Sequence, residues 1–216
     1  MIRTGLQKLD EALGGGIRSG VITDISGASS TGKTQLALQV MVNLLSGGGS
    51  IFYQDTTGTF RPERLLEMLK TKNLDPANLD RVTVSRVTST RDQMNGILTI
   101  QKSNFALVVI DNVTDLFSFE YSREEQLLEK TTQFAKYMKD LSHVAVSKKI
   151  PVLVVNMVRN AAEIEQENME SVISVFTHVK IKLAKRQSVY EGRVFVNTKT
   201  NQFFYKITRE GLVETT

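Results

Sequence analysis

"GASSTGKTQ", residues 27–35, follows the apolar run VITDIS (21–26) and leads into LALQVMVNLL (36–45), which reads as a helix. The stretch fits Gly-x-x-x-x-Gly-Lys-[Ser/Thr], and it sits between a strand and a helix, the setting in which that pattern holds phosphate. Backbone N–H groups of Ser29, Ser30, Thr31 and Gly32, pointing inward at a helix N-terminus, are expected to cradle the phosphates. Gly27 and Gly32 let the backbone come close. Lys33 would reach the terminal phosphates, and Thr34 would offer its hydroxyl to Mg²⁺. Nucleotide binding is thus expected, and the open question is whether the chain also hydrolyses what it holds.

Outward from this loop, short β-rich apolar runs alternate with segments of helical period. VITDI precedes a helix over 33–45, SIFYQ one over 61–72, VTVSRV one over 89–102 and FALVVID one over 122–148, and PVLVVN follows. Such alternation predicts stacked βαβ units, a mostly parallel sheet with helices on both faces. LVVID and VLVVN are apolar at consecutive positions, as central strands covered on both sides are. LVVID ends in Asp111 at a strand tip, where α/β sheets place ligand-binding groups, so Asp111 is a candidate for the Mg²⁺ shell, through water. After residue 172 the runs THVKIKLAKR, EGRVFVN and QFFYKITREG suggest an antiparallel extension with little helix. Within the first, Val179, Ile181 and Leu183 alternate with Lys180 and Lys182, giving one apolar and one basic face.

The 216 residues, 41% of them hydrophobic, suffice for one well-buried core and suggest one domain over 1–216. No cysteine is present, which excludes disulfides, thiolate metal sites and thiol nucleophiles, and two histidines make a histidine-based metal site improbable. A formal charge of +4 permits a polyanionic partner without requiring one. With no signal-like start and no run of membrane-spanning length, the chain is expected to be soluble and cytoplasmic, without a membrane partner.

TGLQKLDEALGGGI, GASSTGKTQ, DTTGTFRPERL, FALVVID and a closing YKITREGL together resemble the RecA/RadA family of strand-exchange ATPases, most closely its short archaeal RadB type. The likeness runs over residues 3–213. It implies a RecA-like core that uses ATP or ADP with Mg²⁺ in homologous recombination and repair, and DNA-binding loops after the strands at 106–111 and 151–156. By position, Arg64 is similar to the family arginine that packs on the adenine, and Gln35 lies beside the nucleotide. A helix arginine paired with Glu63 or Glu67 is the other reading of Arg64.

Two departures bear on mechanism. Where the family motif reads D-T-E-G-T-F-R-P-E-R, with the glutamate orienting the attacking water, this chain has Thr57, which cannot act as that carboxylate. Where a family strand ends Asn-Gln, this one ends Asn156-Met157, and methionine makes no useful hydrogen bond to a γ-phosphate. Lys33 is then the catalytic side chain that remains, and slow hydrolysis is expected. Asp55 and Asp115 are carboxylates near strand ends that could substitute.

For DNA, single-stranded by expectation, Arg123 matches a family loop arginine, while a second family position holds Ser118. The loop at 158–172 carries Arg159 against Glu163, Glu165, Glu167 and Glu170, which disfavours phosphate. The basic stretch falls later, with Lys180, Lys182, Lys185 and Arg186 as candidate contacts on a sheet edge that also bears aromatics. The expected role is that of an accessory factor to a full-length RadA-type recombinase. No N-terminal helical DNA-binding domain and no aromatic-x-x-Ala polymerisation motif are visible, so a monomer or small oligomer is expected rather than a long filament. A DNA-dependent ATPase that performs strand exchange itself, and a KaiC-like signalling ATPase, are the alternatives.

Overall fold

In the computed structural model the alternation of strands and helices falls where the hydrophobic pattern places it. The structure describes residues 1–161, 164–196 and 198–215, with residues 159–161 and 164–165 described by their backbone alone. After α1 (Gln7–Ala12) come β1 (Ile22–Gly27), α2 (Lys33–Leu45), β2 (Ile51–Asp55), α3 (Pro62–Thr71), β3 (Val82–Arg86), α4 (Thr90–Lys102) and β4 (Leu107–Asp111). There follow α5 (Asp115–Glu120), α6 (Leu127–Lys148), β5 (Val152–Ala161), β6 (Ile164–Glu167) and α7 (Glu170–Phe176). The chain closes with β7 (Thr177–Arg186), β8 (Val189–Val196), β9 (Lys199–Thr208) and β10 (Gly211–Thr215). Local chemistry sets the boundaries: Pro62 opens α3, where its missing N–H costs nothing, and Ser89 caps α4 by accepting from the Asp92 N–H at 3.1 Å.

Across the sheet the order is β10, β9, β8, β7, β1, β5, β4, β2, β3, with β6 paired to the far end of β5. From β3 to β7 the neighbours in this order run parallel. β8, β9 and β10 are antiparallel to theirs. The antiparallel extension therefore starts one strand later than the sequence suggests: β7 lies parallel to β1, with Ile25 beside Ile181. A parallel neighbour needs a crossover on one face, and α7, packed on α6, forms part of it. As a consequence Lys180 and Lys182 sit on an interior strand, and the edges are β10 and β3.

Two apolar layers sandwich the sheet. Leu107, Val109, Leu153 and Val155 face α1, α2 and α3, and Val108, Ile110, Val152 and Val154 face α4, α5, α6 and α7. Every residue of β1, β2 and β4 is buried, as are residues 152–156 of β5, which explains why LVVID and VLVVN read as continuous apolar runs. The parallel register brings the strand tips level, with Gly27 opposite Met157 and Asp55 opposite Asp111. Functional groups at those tips share one end of the sheet. Among the described residues no helix is long and apolar enough to cross a membrane.

Candidate nucleotide site

The phosphate loop leaves β1 at Gly27 and enters α2 at Lys33. Gly27 packs so closely on β7 that a Cβ there would lie 2.3 Å from the Leu183 carbonyl oxygen, and Gly32 holds φ +93°, which favours glycine. Thr31 is turned into the loop: its hydroxyl donates to the Ala28 carbonyl at 2.9 Å, and its own carbonyl accepts from the Tyr205 hydroxyl at 2.6 Å. The C-terminal sheet thus braces the loop, a role that no local pattern announces.

Ser29, Ser30, Gly32, Lys33, Thr34, Gln35, Arg64 and Asp111 line one cavity of about 650 Å³, together with Thr57, Asp115 and Met157. Gly27 and Thr31, in the same loop, are not among the residues that line it. The Lys33 ammonium donates to the Ala28 carbonyl at 2.8 Å; burial lowers its pKa, and the charges of Asp111 and Asp115 act against that shift. Thr34 Oγ1 donates to Asp111 Oδ2 at 2.6 Å, and the Tyr53 hydroxyl donates to the same oxygen at 2.9 Å. Burial pushes the Asp111 carboxyl above its ordinary range, opposed by these two hydrogen bonds and by Lys33. A hydroxyl and a carboxylate held together beside a phosphate loop form an oxygen donor set that fits Mg²⁺. Tyr53, which hydrogen-bonds to Asp111 from inside the sheet, escaped the sequence reading because its strand looks like any buried strand.

Arg64 lines the cavity and also makes the helix pair with Glu67 that its other reading expects. Its guanidinium donates to Gln35 Oε1 and to the Thr208 carbonyl, each at 3.0 Å, while pairing with Glu67. These partners hold it at the cavity wall near Ile207 and Tyr190, residues that sequence reasoning did not select.

Thr57 donates to Asp55 Oδ1 at 3.2 Å and shares a 2.6 Å hydrogen bond with Thr59. Asp55 accepts the backbone N–H groups of Thr57, Gly58, Thr59 and Phe60 at 2.8–3.2 Å. Its carboxylate is thereby occupied in shaping the 57–60 turn. Of the two carboxylates that could substitute, Asp115, at the start of α5, lines the cavity. Met157 also faces the cavity, whereas Asn156 is buried on the other side of β5. There it accepts from Thr114 Oγ1 at 2.7 Å and donates to Glu167 Oε1 at 2.7 Å.

Residues 1–186 match the family model described as Rad51. The chain belongs to the Rad51 family. Among similar proteins is the DNA repair and recombination protein RadB of Thermococcus gammatolerans, 34% identical over 98% of this chain and 98% of its own length. RadB of Thermococcus onnurineus is 39% identical over 73% of this chain and 69% of its own. The DNA repair and recombination protein RadA of Cenarchaeum symbiosum is 34% identical over 76% of this chain but 44% of its own length. The RecA-like expectation for the fold agrees with membership of the Rad51 family.

Most of the described residues in the two loops that the RecA/RadA resemblance implies fall in regular elements. The first contains α5 and a short 3₁₀ turn, Glu124–Gln126, with Arg123 exposed just before it. The second is the β5–β6 hairpin followed by α7, and the Arg159 side chain falls outside the described residues. On β7, Lys180 bridges Glu167 at 2.6 Å and Glu170 at 2.9 Å, and Lys182 follows on the same face. Lys185 lies 5.3 Å from the Tyr190 ring centre, and Arg186 is 3.5 Å from Glu191. The four cations are therefore not equivalent: Lys180 is held by two acids, and Lys185 rests on a ring.

Beneath Lys180 lies Asp24, fully buried, whose carboxyl group meets no ordinary donor and hydrogen-bonds to the carboxyl group of Glu167. Burial, then Glu167, pushes Asp24 well above the ordinary carboxylate value of 3.8. A raised carboxyl stabilises the fold below its unfolded-state value, and that contribution is lost as pH rises through the folded-state value. Asp24→Asn is therefore expected to raise stability at pH 7–8 by about 1–3 kcal/mol, with the gain shrinking toward pH 4. Urea melts of both proteins across that range check it, and a difference independent of pH would contradict it.

Proposed function

We propose that this Rad51-family chain binds ATP with Mg²⁺, hydrolyses it slowly, and acts as an accessory factor in homologous recombination and repair. In this reading it engages single-stranded DNA and modulates a full-length RadA-type recombinase in the cytoplasm. The observation that carries the proposal is the division within one cavity. The phosphate-binding and metal-binding groups Lys33, Thr34 and Asp111 are present, while the positions for preparing water and reading the γ-phosphate hold Thr57 and Met157. Mg²⁺, held by Thr34 and Asp111, would neutralise phosphate charge. Bound nucleotide then serves to favour one conformation, which requires that the two states bind it with different affinity.

Asp115 favours a second reading, a DNA-dependent ATPase that performs strand exchange itself, because it places a carboxylate in the same cavity. A strand-exchange assay separates the two, with none expected from this chain alone.

The proposed DNA surface is the basic end of the C-terminal sheet, where Lys182 and Arg186 share one face of β7 and Lys185 lies on the other, over Tyr190. Lys182→Ala, Lys185→Ala and Arg186→Ala combined are expected to weaken single-strand binding roughly tenfold at moderate salt. The slope of log affinity against log salt should also fall by about 2. Lys180 is left in place here because Glu167 and Glu170 already hold its ammonium. Fluorescence anisotropy with a labelled oligonucleotide reads both quantities, and an unchanged slope would remove this surface from the proposal.

A further inference from the structure

Lys180 stands on a strand fixed between β1 and β8, whereas the two acids that hold it come from a lighter part of the fold. Glu167 ends β6, a four-residue strand paired only with β5 among the described residues, and Glu170 opens the seven-residue α7. Around them lies a cavity of about 590 Å³ lined by Glu167, Glu170, His178, Lys180, Lys182 and Phe195. It combines two ammonium groups with a phenyl ring about one-third exposed (36%), the chemistry that takes a phosphate and an adjoining base. An acidic segment lies across it.

The packing under this contact is unsettled. Asp24 is 0% exposed and meets another carboxyl group, Glu167, in place of an ordinary donor, and Ser26, next along the same face of β1, has an unpartnered hydroxyl oxygen. Three carboxyl groups, Asp24, Glu167 and Glu170, converge on Lys180, with Lys182 and His178 the other titratable groups of the surrounding strand. Groups buried without partners mark a region that gains by rearranging. A segment held by one strand pairing and a few polar contacts opens more readily than the sheet beneath it.

We propose that Glu167 and Glu170 form an autoinhibitory clamp on Lys180, standing in the free protein where a phosphate of single-stranded nucleic acid stands in the complex. Binding displaces residues 164–170 and frees the Lys180 ammonium beside Lys182 and Phe195. The clamp rests on the proposed DNA-binding reading and gives that surface its regulation. Carboxylate and phosphate oxygens compete for the same three N–H donors of one ammonium, so the exchange needs no other chemistry.

Affinity for a labelled oligothymidylate tests it, measured on the full chain as wild type, Glu170→Gln, Lys180→Gln and the double variant. Glu170 is half exposed, so its substitution leaves the fold intact. Glu210→Gln, an exposed position on the β9–β10 turn, corrects for net charge. Glu170→Gln is expected to bind roughly threefold more tightly than Glu210→Gln, and to have no effect in the Lys180→Gln background. Amide exchange of residues 164–170 is expected to accelerate when wild type binds the strand, a readout independent of Lys180 substitution. Equal affinities for the two glutamine variants, or tightening that persists without Lys180, would overturn the clamp while DNA binding stands. No binding by any variant would overturn the DNA-binding reading itself.

Discussion

Lys33→Ala is expected to weaken ATP binding by ~10²–10³-fold, about 3–4 kcal/mol, without unfolding the chain. Lys33 is the first residue of α2, where alanine is well tolerated, and its ammonium makes one protein hydrogen bond, to the Ala28 carbonyl of its own loop. Its fold contribution is therefore small. Toward a nucleotide its position is different: it is mostly buried in the cavity and close enough to Asp111 and Asp115 for their charges to act on it. Without the ammonium those two carboxylates would face the terminal phosphates with only Mg²⁺ between them. Calorimetric titration checks the affinity, and a melting curve on the same sample checks the fold. A tenfold or smaller loss would mean that the backbone cradle alone holds the phosphates.

Thr57→Glu is expected to raise steady-state ATP turnover by ~10²-fold, at the lower end of what a positioned general base supplies. Thr57 faces the cavity, and the turn that presents it does not depend on its hydroxyl, because the Asp55 carboxylate holds the backbone N–H groups of residues 57–60. A glutamate at 57 thus inherits a preformed turn. The gain is held to the lower end because Met157 remains in the cavity and offers the γ-phosphate no donor. Turnover assays with and without single-stranded DNA measure it. If Thr57→Glu changes nothing while Asp115→Asn abolishes residual turnover, Asp115 is the carboxylate that positions water.

The parts of this protein that were legible in its sequence are those whose physics is local. Residues 27–35 needed only glycine, lysine and a hydroxyl in fixed order between a strand and a helix. LVVID and VLVVN announced buried central strands because both faces of a parallel sheet are covered, and α2 runs from 33 to 45 as its periodicity indicated. What depends on distant partners was hidden. The period-two alternation of β7 is the same whether its neighbour is parallel or antiparallel, so Lys180 looked like an edge lysine. Its partners, Glu167 and Glu170, looked instead like the charges of a DNA-repelling loop. Asp55 is a carboxylate at a strand tip in both sequence and structure, yet four converging N–H groups make it a scaffold for the 57–60 turn. Tyr53 and Tyr205 reach the site from buried positions in the sheet, where nothing in an aromatic residue's neighbours reveals which hydroxyl finds a functional partner.

The proposed division of labour in the cavity, in which binding is retained and water positioning lost, is tested most directly on the wild-type chain by one paired measurement. ATP affinity with Mg²⁺ and steady-state hydrolysis, with and without single-stranded DNA, are taken on the same preparation. Saturable binding together with turnover near background in both conditions is the predicted result. Brisk hydrolysis stimulated by DNA and lost in Lys33→Ala would contradict it, and would make the chain an active recombinase ATPase in place of a nucleotide-gated accessory factor.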